Sequence, residues 1–248
     1  MFSIGEFFLH VLTRILRSGR IPQHIAFVPD NNRTFAKKTN ADLLSTYIKG
    51  QRVLSKLLKW CVILKTSCVT IYLLSTHNLK RNNYEKQCIF DAINIFLHKL
   101  LIQPFLFFFR MNCRIKIVGD VSVLPHELKE LCTLLSSQTK DNNGILVNVA
   151  LNYSGKEELI DVSCKIFQKF YQFELKLNDM DENLFSDLVH TRPFSDVDLM
   201  IRTTVGKRLS EFLLWQNASS FLHFIDICWP EITEWHLLRA VFYYQCHK

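Results

Sequence analysis

The sequence predicts an α/β protein in which a central parallel β-sheet is surrounded by helices. Short apolar runs of strand length alternate along the chain with longer segments of helical periodicity. Parallel strands need helical crossovers, so this alternation is typical of a sheet that is covered on both faces. With 248 residues, of which 48% are hydrophobic and 21% charged, the chain can bury a sizeable core.

The strands are predicted by apolar runs that end in polar turns. In order along the chain they are residues 24–28, 68–74, 114–118, 145–151, 198–201 and 221–225. Helices are predicted where apolar residues recur every three or four positions. These segments are residues 42–64, 82–109 (interrupted by Pro104), 124–137, 155–173, 182–189, 210–216 and 231–245. The stretch from residue 89 to 109 is apolar on more than one face, which indicates ordinary core or the wall of an apolar cavity.

Composition excludes several functional classes. The chain has only 7 glycines and no Gly-rich nucleotide-binding motif. Its 8 cysteines show no C-x-x-C pair, which disfavours a zinc site and indicates a reducing compartment. The net charge of +7 is concentrated in the first half of the chain, which suits an anionic membrane or a phosphorylated substrate. No nucleic-acid-binding motif is present, so we expect no nucleic-acid partner.

The chain divides into an N-terminal amphipathic helix, residues 1–20, and one domain, residues 21–248. The N-terminal segment is too short and too interrupted by charge to span a bilayer. Its apolar residues fall on one helical face and three arginines follow, so the helix could lie in a membrane interface. Packing of this helix on its own domain is an equally good interpretation.

Polar residues follow the predicted strands at the point where each strand ends. In an open α/β sheet, ligands bind outside these carboxyl ends. The candidates are Asp30, Asn31, Asn32 and Arg33; Ser75, Thr76, His77, Asn78 and Arg81; Gly119 and Asp120; Asn152 and Tyr153; and Arg202, Arg208 and Ser210. Carboxylates suit Mg²⁺ and arginines suit phosphate, so this set indicates a diphosphate–Mg²⁺ substrate. We also expect the predicted helix at 210–216 to direct its N-terminal N–H groups at the anion.

The motifs along nearly the whole chain resemble those of the cis-prenyltransferase family, and the dehydrodolichyl diphosphate synthase branch most. They are Ile21-Pro-Gln-His-Ile-Ala-Phe27, Asp30-Asn-Asn32, Ala36-Lys37-Lys38, Tyr72-Leu-Leu-Ser75-Thr-His-Asn78, Val118-Gly-Asp120, Asn148-Val-Ala-Leu-Asn152-Tyr153, Asp198-Leu-Met-Ile-Arg202-Thr203, Arg208-Leu-Ser210, Phe212-Leu-Leu-Trp-Gln216 and Trp229-Pro-Glu231.

The resemblance implies a central parallel sheet with helices around a hydrophobic tunnel. It implies Mg²⁺-dependent addition of isopentenyl diphosphate to an allylic diphosphate such as farnesyl diphosphate, making dehydrodolichyl diphosphate for dolichol synthesis and protein glycosylation. Carried over by position, Asp30 handles Mg²⁺ and the allylic diphosphate, and Asn78 with Ser75 lies near the reacting carbons. The loop residues Asn31, Asn32 and Arg33 would bind substrate. Arg202, Arg208 and Ser210 would bind isopentenyl diphosphate.

The chain departs from the family pattern at the expected allylic site. The family's Met-Asp-Gly-Asn run reads Pro29-Asp30-Asn31-Asn32 here, and one loop arginine is replaced by Thr34. An arginine and a histidine further on align with Leu43 and Tyr47, and a glutamate aligns with Gly206. These changes would weaken allylic binding unless another basic group, such as Arg33, Lys37 or Lys38, replaces the lost contacts.

The resemblance also implies a partner and a location. The sequence does not contain the family's C-terminal Arg-x-Gly, so we expect a heterodimer with a second cis-prenyltransferase-like subunit that carries it. The expected location is the cytoplasmic face of the endoplasmic reticulum membrane, as a peripheral protein. The alternative function is a catalytically weak or inactive scaffold subunit of the same complex. A lipid-binding protein without chemistry is a third class, but it would need neither Asp30 nor the arginines.

Overall fold

The computed structural model describes residues 4–102, 112–204 and 206–247 and confirms the predicted class. Six parallel strands form one sheet within these ranges, in the order β3-β4-β2-β1-β5-β6. The strands are β1 His24–Val28, β2 Cys68–Tyr72, β3 Arg114–Val118, β4 Leu146–Ala150, β5 Leu199–Thr203 and β6 Phe221–Ile225. The helices are α1 Ile4–Leu16, α2 Asn32–Thr39, α3 Leu43–Leu64, α4 Asn83–Ile102, α5 His126–Thr139, α6 Gly155–Tyr171, α7 Glu182–Leu188 and α8 Glu234–His247.

The four inner strands are buried along their whole length. They lie under helices on both faces, which is why their sequences read as continuous apolar runs rather than as alternating ones. The outer strands β3 and β6 are only partly buried. All six carboxyl ends reach the same edge of the sheet, because every strand pair is parallel.

The two faces of the sheet have cores of different size. On one face α3, α4, α5 and α8 pack over residues such as Phe27, Ile71 and Ile201. On the other face a smaller cluster contains Tyr72, Phe212 and other buried residues. The larger core positions α3 and α4 beside the carboxyl ends of β1 and β2, where the predicted substrate residues lie.

Two predicted elements need correction or fall outside the described residues. Residues 210–216 form turns, so the helix predicted there is wrong. Ser210, Glu211 and Leu213 have positive φ angles of 52°, 59° and 48°, which a right-handed helix cannot contain. The prediction of a helix over 82–109 is met up to Ile102, and its Phe-rich end, residues 103–109, lies outside the described residues.

The N-terminal helix α1 packs on its own domain and also presents an apolar face to solvent. Leu9, Thr13 and Leu16 are buried against α3 and α8. Phe7 and Ile15 are each more than half exposed. No described helix is long and apolar enough to cross a membrane. Both interpretations of this segment are therefore compatible with the packing, since they concern different faces of the helix.

His24 makes the stability of the fold depend on pH. Its ring is buried between the carbonyl oxygen of Asp196 and the hydroxyl of Thr70, and burial lowers its pKa to about 4. The native state therefore keeps His24 neutral, whereas the unfolded chain binds a proton as the pH falls below about 6.5. The contribution of neutral His24 to stability should be complete above that pH and should be lost, by about 3 kcal/mol, as the pH falls from about 6.5 to about 4. Urea unfolding of wild type and His24→Gln between pH 4 and 7 checks this. The free energy of unfolding should fall more steeply with decreasing pH in wild type, and an equal dependence on pH in both proteins would contradict the prediction.

Candidate active site

A cavity of about 490 Å³ opens at the carboxyl edge of the sheet. All nine residues predicted for the site line it: Asp30, Asn31, Asn32, Arg33, Ser75, Asn78, Arg202, Arg208 and Ser210. Its opposite wall is apolar and is formed by residues of α3 and α4, including Leu54, Ile89 and Ile93. The cavity therefore combines a charged end with a hydrocarbon-like end, as an amphiphilic diphosphate requires.

The loop after β1 holds Asp30 at the cavity through main-chain contacts. Asn31 adopts the left-handed conformation (φ 63°, ψ 22°), and its N–H donates to Asp30 Oδ1 at 2.7 Å. The main-chain N–H of Trp229 donates to the Asp30 carbonyl at 3.1 Å. Asparagine tolerates this conformation better than other residues with a side chain, so Asn31 can replace the family's glycine without losing the turn.

Arg202 links the acidic loop to the loop after β5. Its guanidinium is almost completely buried and donates to Asp30 Oδ2 at 2.6 Å and to Ser210 Oγ at 2.8 Å. It also donates to the main-chain oxygen of Arg208. The remaining Nε has no hydrogen-bond partner among the described residues. Arg202 therefore positions Asp30 and Ser210, and only part of its fork remains available for a phosphate.

Arg208 is arranged differently from Arg202. Its side chain is exposed at the mouth of the cavity, and it forms no ion pair within the described part of the chain. Because the following residues form turns, no helix terminus contributes N–H groups at this point. The anion site that the sequence predicts thus depends on side chains, with Arg208 as an exposed cation and Ser210 as a hydroxyl that Arg202 holds in place.

Ser75 and Asn78 are fixed by each other after β2. The Ser75 N–H donates to Asn78 Oδ1 at 2.9 Å, and the Asn78 N–H donates to Ser75 Oγ at 3.2 Å. This reciprocal capping leaves the Asn78 Nδ2 donor without a partner among the described residues. The pair therefore presents an oriented amide N–H to the cavity.

Sequence reasoning missed a second polar cluster at the mouth, although Arg81 was among the candidates. Arg81 Nη1 donates to the Tyr47 hydroxyl at 3.2 Å, and both residues line the cavity. Glu85 lies 3.5 Å from Arg33 and 3.8 Å from Arg81. Burial raises the Tyr47 pKa, and the neighbouring Arg81 opposes that effect. Tyr47 therefore keeps a neutral hydroxyl, which accepts a hydrogen bond from Arg81 at the mouth of the cavity.

Several other candidates do not line the cavity, whereas His77 does. Lys37 and Lys38 are exposed elsewhere, and Lys38 pairs with Glu231 at 3.4 Å, so neither replaces the altered allylic contacts. Asp120 accepts the Ser122 N–H, and the Asn152 side chain donates to the Asp120 carbonyl. These two polar residues stabilise their own turns. The sequence does not give the contacts of these residues, so it cannot distinguish Asp120 and Asn152, which stabilise turns, from Arg81, which lines the cavity.

Asp30 is suited to bind a magnesium ion that the substrate diphosphate also binds. The described residues contain no group of three or more His, Cys, Asp or Glu side chains that could enclose a metal. Magnesium commonly binds through one or two carboxylates together with substrate phosphates. Asp30, at 38% side-chain exposure, supplies one such carboxylate at the cavity.

Trp229 and Gly50 set the shape of the floor beneath Asp30. The Trp229 indole N–H donates to the Gly50 carbonyl at 2.9 Å. A Cβ atom on Gly50 would lie 2.7 Å from the indole ring. Gly50→Ala should therefore displace Trp229, destabilise the protein by about 1–3 kcal/mol and disturb the Asp30 loop that Trp229 holds. Thermal unfolding of Gly50→Ala measures the loss of stability. An unchanged melting temperature would show that the Trp229 indole can move away from the added methyl group at no cost.

Comparison with known proteins identifies the family of the site. The family described as "Putative undecaprenyl diphosphate synthase" matches residues 28–248. The chain is 35% identical over 238 residues to a tritrans,polycis-undecaprenyl-diphosphate synthase (geranylgeranyl-diphosphate specific) of Archaeoglobus fulgidus, covering 96% of this chain and 94% of that protein. It is 33% identical to an isoprenyl transferase of Bacillus subtilis, covering 90% and 84%. These relatives are archaeal and bacterial, so the closeness to the eukaryotic branch stays a prediction.

Solved structures show the same fold. Lavandulyl diphosphate synthase from Lavandula x intermedia, in complex with dimethylallyl diphosphate, matches with a TM-score of 0.87 and 25% identity, covering 92% of this chain and 97% of that one. A probable undecaprenyl diphosphate synthase of Campylobacter jejuni matches with a TM-score of 0.76 and 27% identity over the same shares.

Proposed function

We propose a function for this chain that follows from its family. The chain belongs to the cis-prenyltransferase family, which includes undecaprenyl diphosphate synthases and isoprenyl transferases. The chain is a transferase of prenyl groups that condenses isopentenyl diphosphate onto an allylic diphosphate. One observation supports catalysis by this chain in particular: Asp30, Arg202, Arg208 and Ser210 meet at one cavity whose far wall is apolar.

We infer separate tasks for these side chains from their positions in the cavity. The bond between the allylic carbon and its diphosphate breaks, the alkene of isopentenyl diphosphate attacks that carbon, and a proton is lost. Arg33 and Arg81 stand where they can stabilise the departing anion, whereas Arg208 and Ser210 can bind the diphosphate of the attacking unit. Asn78, oriented by Ser75, can fix a diphosphate oxygen beside the reacting carbons.

Magnesium is the cofactor in this proposal. Asp30 would hold it together with substrate oxygens, and the bound ion would supply positive charge that stabilises the leaving diphosphate. The Arg202 guanidinium orients the Asp30 carboxylate towards the cavity loop by donating to its Oδ2. Loss of turnover on adding a chelator, with recovery on adding excess Mg²⁺, is the expected behaviour.

We extend the proposal to a long-chain product, dehydrodolichyl diphosphate, which serves dolichol synthesis and protein glycosylation. The support is the resemblance of the motifs to that branch, with farnesyl diphosphate as the expected primer. The altered positions around Tyr47 support the alternative of a catalytically weak scaffold subunit. Against that alternative, Arg81 and Arg33 line the cavity together with Thr34 and Tyr47, two of the altered positions.

One assay tests the proposal directly. Radiolabelled isopentenyl diphosphate is incubated with farnesyl diphosphate, Mg²⁺ and the full chain, with and without a candidate partner subunit. We expect butanol-extractable polyprenyl product in the presence of the partner. No product under either condition, although the chain binds farnesyl diphosphate, would favour the scaffold function.

The partner in this proposal is a second cis-prenyltransferase-like subunit that ends in Arg-x-Gly. An exposed apolar stripe on α6 supports an interface with another protein: Ile160, Phe167 and Tyr171 project from this helix and are each more than 60% exposed. Contiguous exposed aromatic surface is characteristic of protein–protein contact sites. Size-exclusion chromatography with light scattering, on the chain alone and mixed with the partner, distinguishes a heterodimer from other states.

We propose a peripheral location on the cytoplasmic face of the endoplasmic reticulum membrane. The exposed Phe7, Phe8, Val11 and Ile15 of α1, followed by Arg17, support interfacial binding to anionic lipid. Phe7→Ser/Phe8→Ser should reduce sedimentation with phosphatidylserine vesicles several-fold, and raised salt should weaken binding of wild type. A protein with Val123→Ser, which changes an exposed residue away from α1, serves as the control. Equal vesicle binding by all three proteins would contradict the proposal.

A further inference from the structure

The proposed condensation releases a proton, which a group at the cavity must accept. When the alkene of isopentenyl diphosphate attacks the allylic carbon, positive charge develops at C3 of the isopentenyl unit, and C2 then loses a hydrogen as a proton. Only C1 separates C2 from the diphosphate oxygen. The acceptor must therefore lie close to Arg208 and Ser210, the residues to which we assign that diphosphate.

Three described residues that line the cavity have side chains able to accept a proton near neutral pH: Asp30, His77 and Glu211. Asp30 is already paired with a buried guanidinium. Glu211 Oε1 lies 2.6 Å from Lys156 Nζ, and the Ser154 hydroxyl donates to Glu211 Oε2 at 3.1 Å. The hydrogen bond from Lys156 lowers the pKa of Glu211, so this carboxylate is a weak base. The imidazole of His77 is the remaining acceptor, and imidazole is the most common general base in enzymes.

His77 lies between the two loops that hold the substrate residues. It belongs to the turn Thr76–Lys80 after β2 and directly precedes Asn78. Its Nε2 is 3.4 Å from Oε2 of Glu211, which directly follows Ser210 in the loop after β5. The imidazole is therefore close both to the amide that we place beside the reacting carbons and to the hydroxyl that we assign to the isopentenyl diphosphate.

Glu211 is held in place by contacts of its main chain as well as of its side chain. Its carbonyl oxygen accepts the Gly155 N–H at 2.6 Å, and its φ angle of 59° is uncommon for a residue with a side chain. Such strained backbone is characteristic of functional sites, where surrounding contacts fix it. A carboxylate facing Nε2 favours the tautomer with its proton on that nitrogen, which leaves Nδ1 of His77 as the proton acceptor.

We propose that His77 is the general base of the condensation and that Glu211 is the positioning residue that orients its ring. The inference rests on the proposed function, because it takes isopentenyl diphosphate to bind at Arg208 and Ser210. C4 of the isopentenyl unit bonds to the allylic C1, whose C–O bond breaks and gives its electron pair to the departing diphosphate. The C2–H bond then breaks, its electron pair forms the new C2=C3 double bond, and the proton passes to His77 Nδ1. The side chain is 60% exposed, so solvent can take up the proton afterwards.

Single-turnover rates with a deuterated substrate test this role. The full chain, with its partner subunit where wild type requires one, receives farnesyl diphosphate, Mg²⁺ and isopentenyl diphosphate that carries hydrogen or deuterium at C2. His77→Ala should lower the rate by roughly 100- to 10,000-fold. Its deuterium isotope effect should exceed that of wild type, because proton removal becomes the slow step, and added imidazole should restore part of the rate. Glu211→Gln should lower the rate by a smaller factor.

His126→Ala is the matched control. His126 is also exposed and lies 3.6 Å from the carboxylate of Glu130, but it does not line the cavity. This variant should keep the wild-type rate and isotope effect. Thermal unfolding of each variant shows that the folded state is being compared.

The outcomes separate this inference from the function on which it rests. A slow His77→Ala variant with an enlarged isotope effect and rescue by imidazole supports the inference. A near-normal rate in His77→Ala, or a lowered rate with neither the isotope effect nor the rescue, overturns it. Prenyl transfer by the chain would then stand, with an oxygen of a substrate diphosphate as the base. If wild type forms no product with or without the partner, the proposed function falls together with the inference.

Discussion

Asp30→Asn should lower turnover by at least roughly 100- to 1000-fold while the protein stays folded. The substitution removes the one carboxylate that the β1 loop presents to the cavity, so the site loses its ligand for a diphosphate-bound cation. It also removes the negative charge that orients Arg202. Losing a preorganised electrostatic contact at a reacting centre commonly has an effect of this size. Single-turnover assays with farnesyl and isopentenyl diphosphates measure it.

The contacts of Asp30 predict how two substitutions differ. Asparagine keeps an oxygen that can accept from Arg202, whereas alanine leaves that buried guanidinium with only Ser210 and a main-chain oxygen. Asp30→Ala should therefore be less stable than Asp30→Asn by about 1–3 kcal/mol, although both lose activity. Near-normal elongation by either variant would contradict the role of Asp30. Equal stabilities would show that the Asp30–Arg202 pair contributes little to folding.

Much of the fold could be predicted because local pattern and tertiary environment agree. The strands β1 and β3 begin and end at the predicted residues, since each apolar run is bounded by polar residues. The helix predicted at residues 210–216 does not form, although the stretch is rich in apolar residues, among them Phe212 and Leu213. The structure buries them against the sheet from a series of turns, in which Ser210 and Glu211 adopt positive φ angles. Tertiary packing overrides local propensity at this loop.

The sequence predicts which residues belong to the candidate site, but it does not predict the hydrogen bonds and ion pairs between them. The rule that ligands bind at the carboxyl ends of parallel strands selected the nine predicted site residues, and all nine line the cavity. The rule treats Arg202 and Arg208 alike, because sequence position does not give burial or hydrogen-bond partners. It likewise could not show that Arg81 reaches Tyr47 across the cavity mouth, or that Glu85 lies between two arginines. Such contacts join residues that are distant in the chain.

The difference between the two arginines leads to the second large effect. Arg202→Ala should destabilise the protein by about 1–3 kcal/mol, because it removes the buried guanidinium that donates to Asp30 and Ser210. Arg208→Ala should change stability by less than about 0.5 kcal/mol, since its side chain is exposed. Urea unfolding at neutral pH measures both values. Arg52→Ala, which removes an exposed arginine of α3 away from the cavity, serves as the control.

Kinetics should separate the same two variants. Arg208→Ala should raise the KM for isopentenyl diphosphate by about 10- to 150-fold, the equivalent of one charge-assisted hydrogen bond, and should affect the KM for the primer less. Arg202→Ala should lower kcat as well, because Asp30 and Ser210 lose the guanidinium that positions them. Equal effects of Arg208→Ala on both substrates would argue against two separate diphosphate subsites. A stable Arg202→Ala variant with only a raised KM would show that Arg202 is a simple substrate ligand, despite its buried contacts.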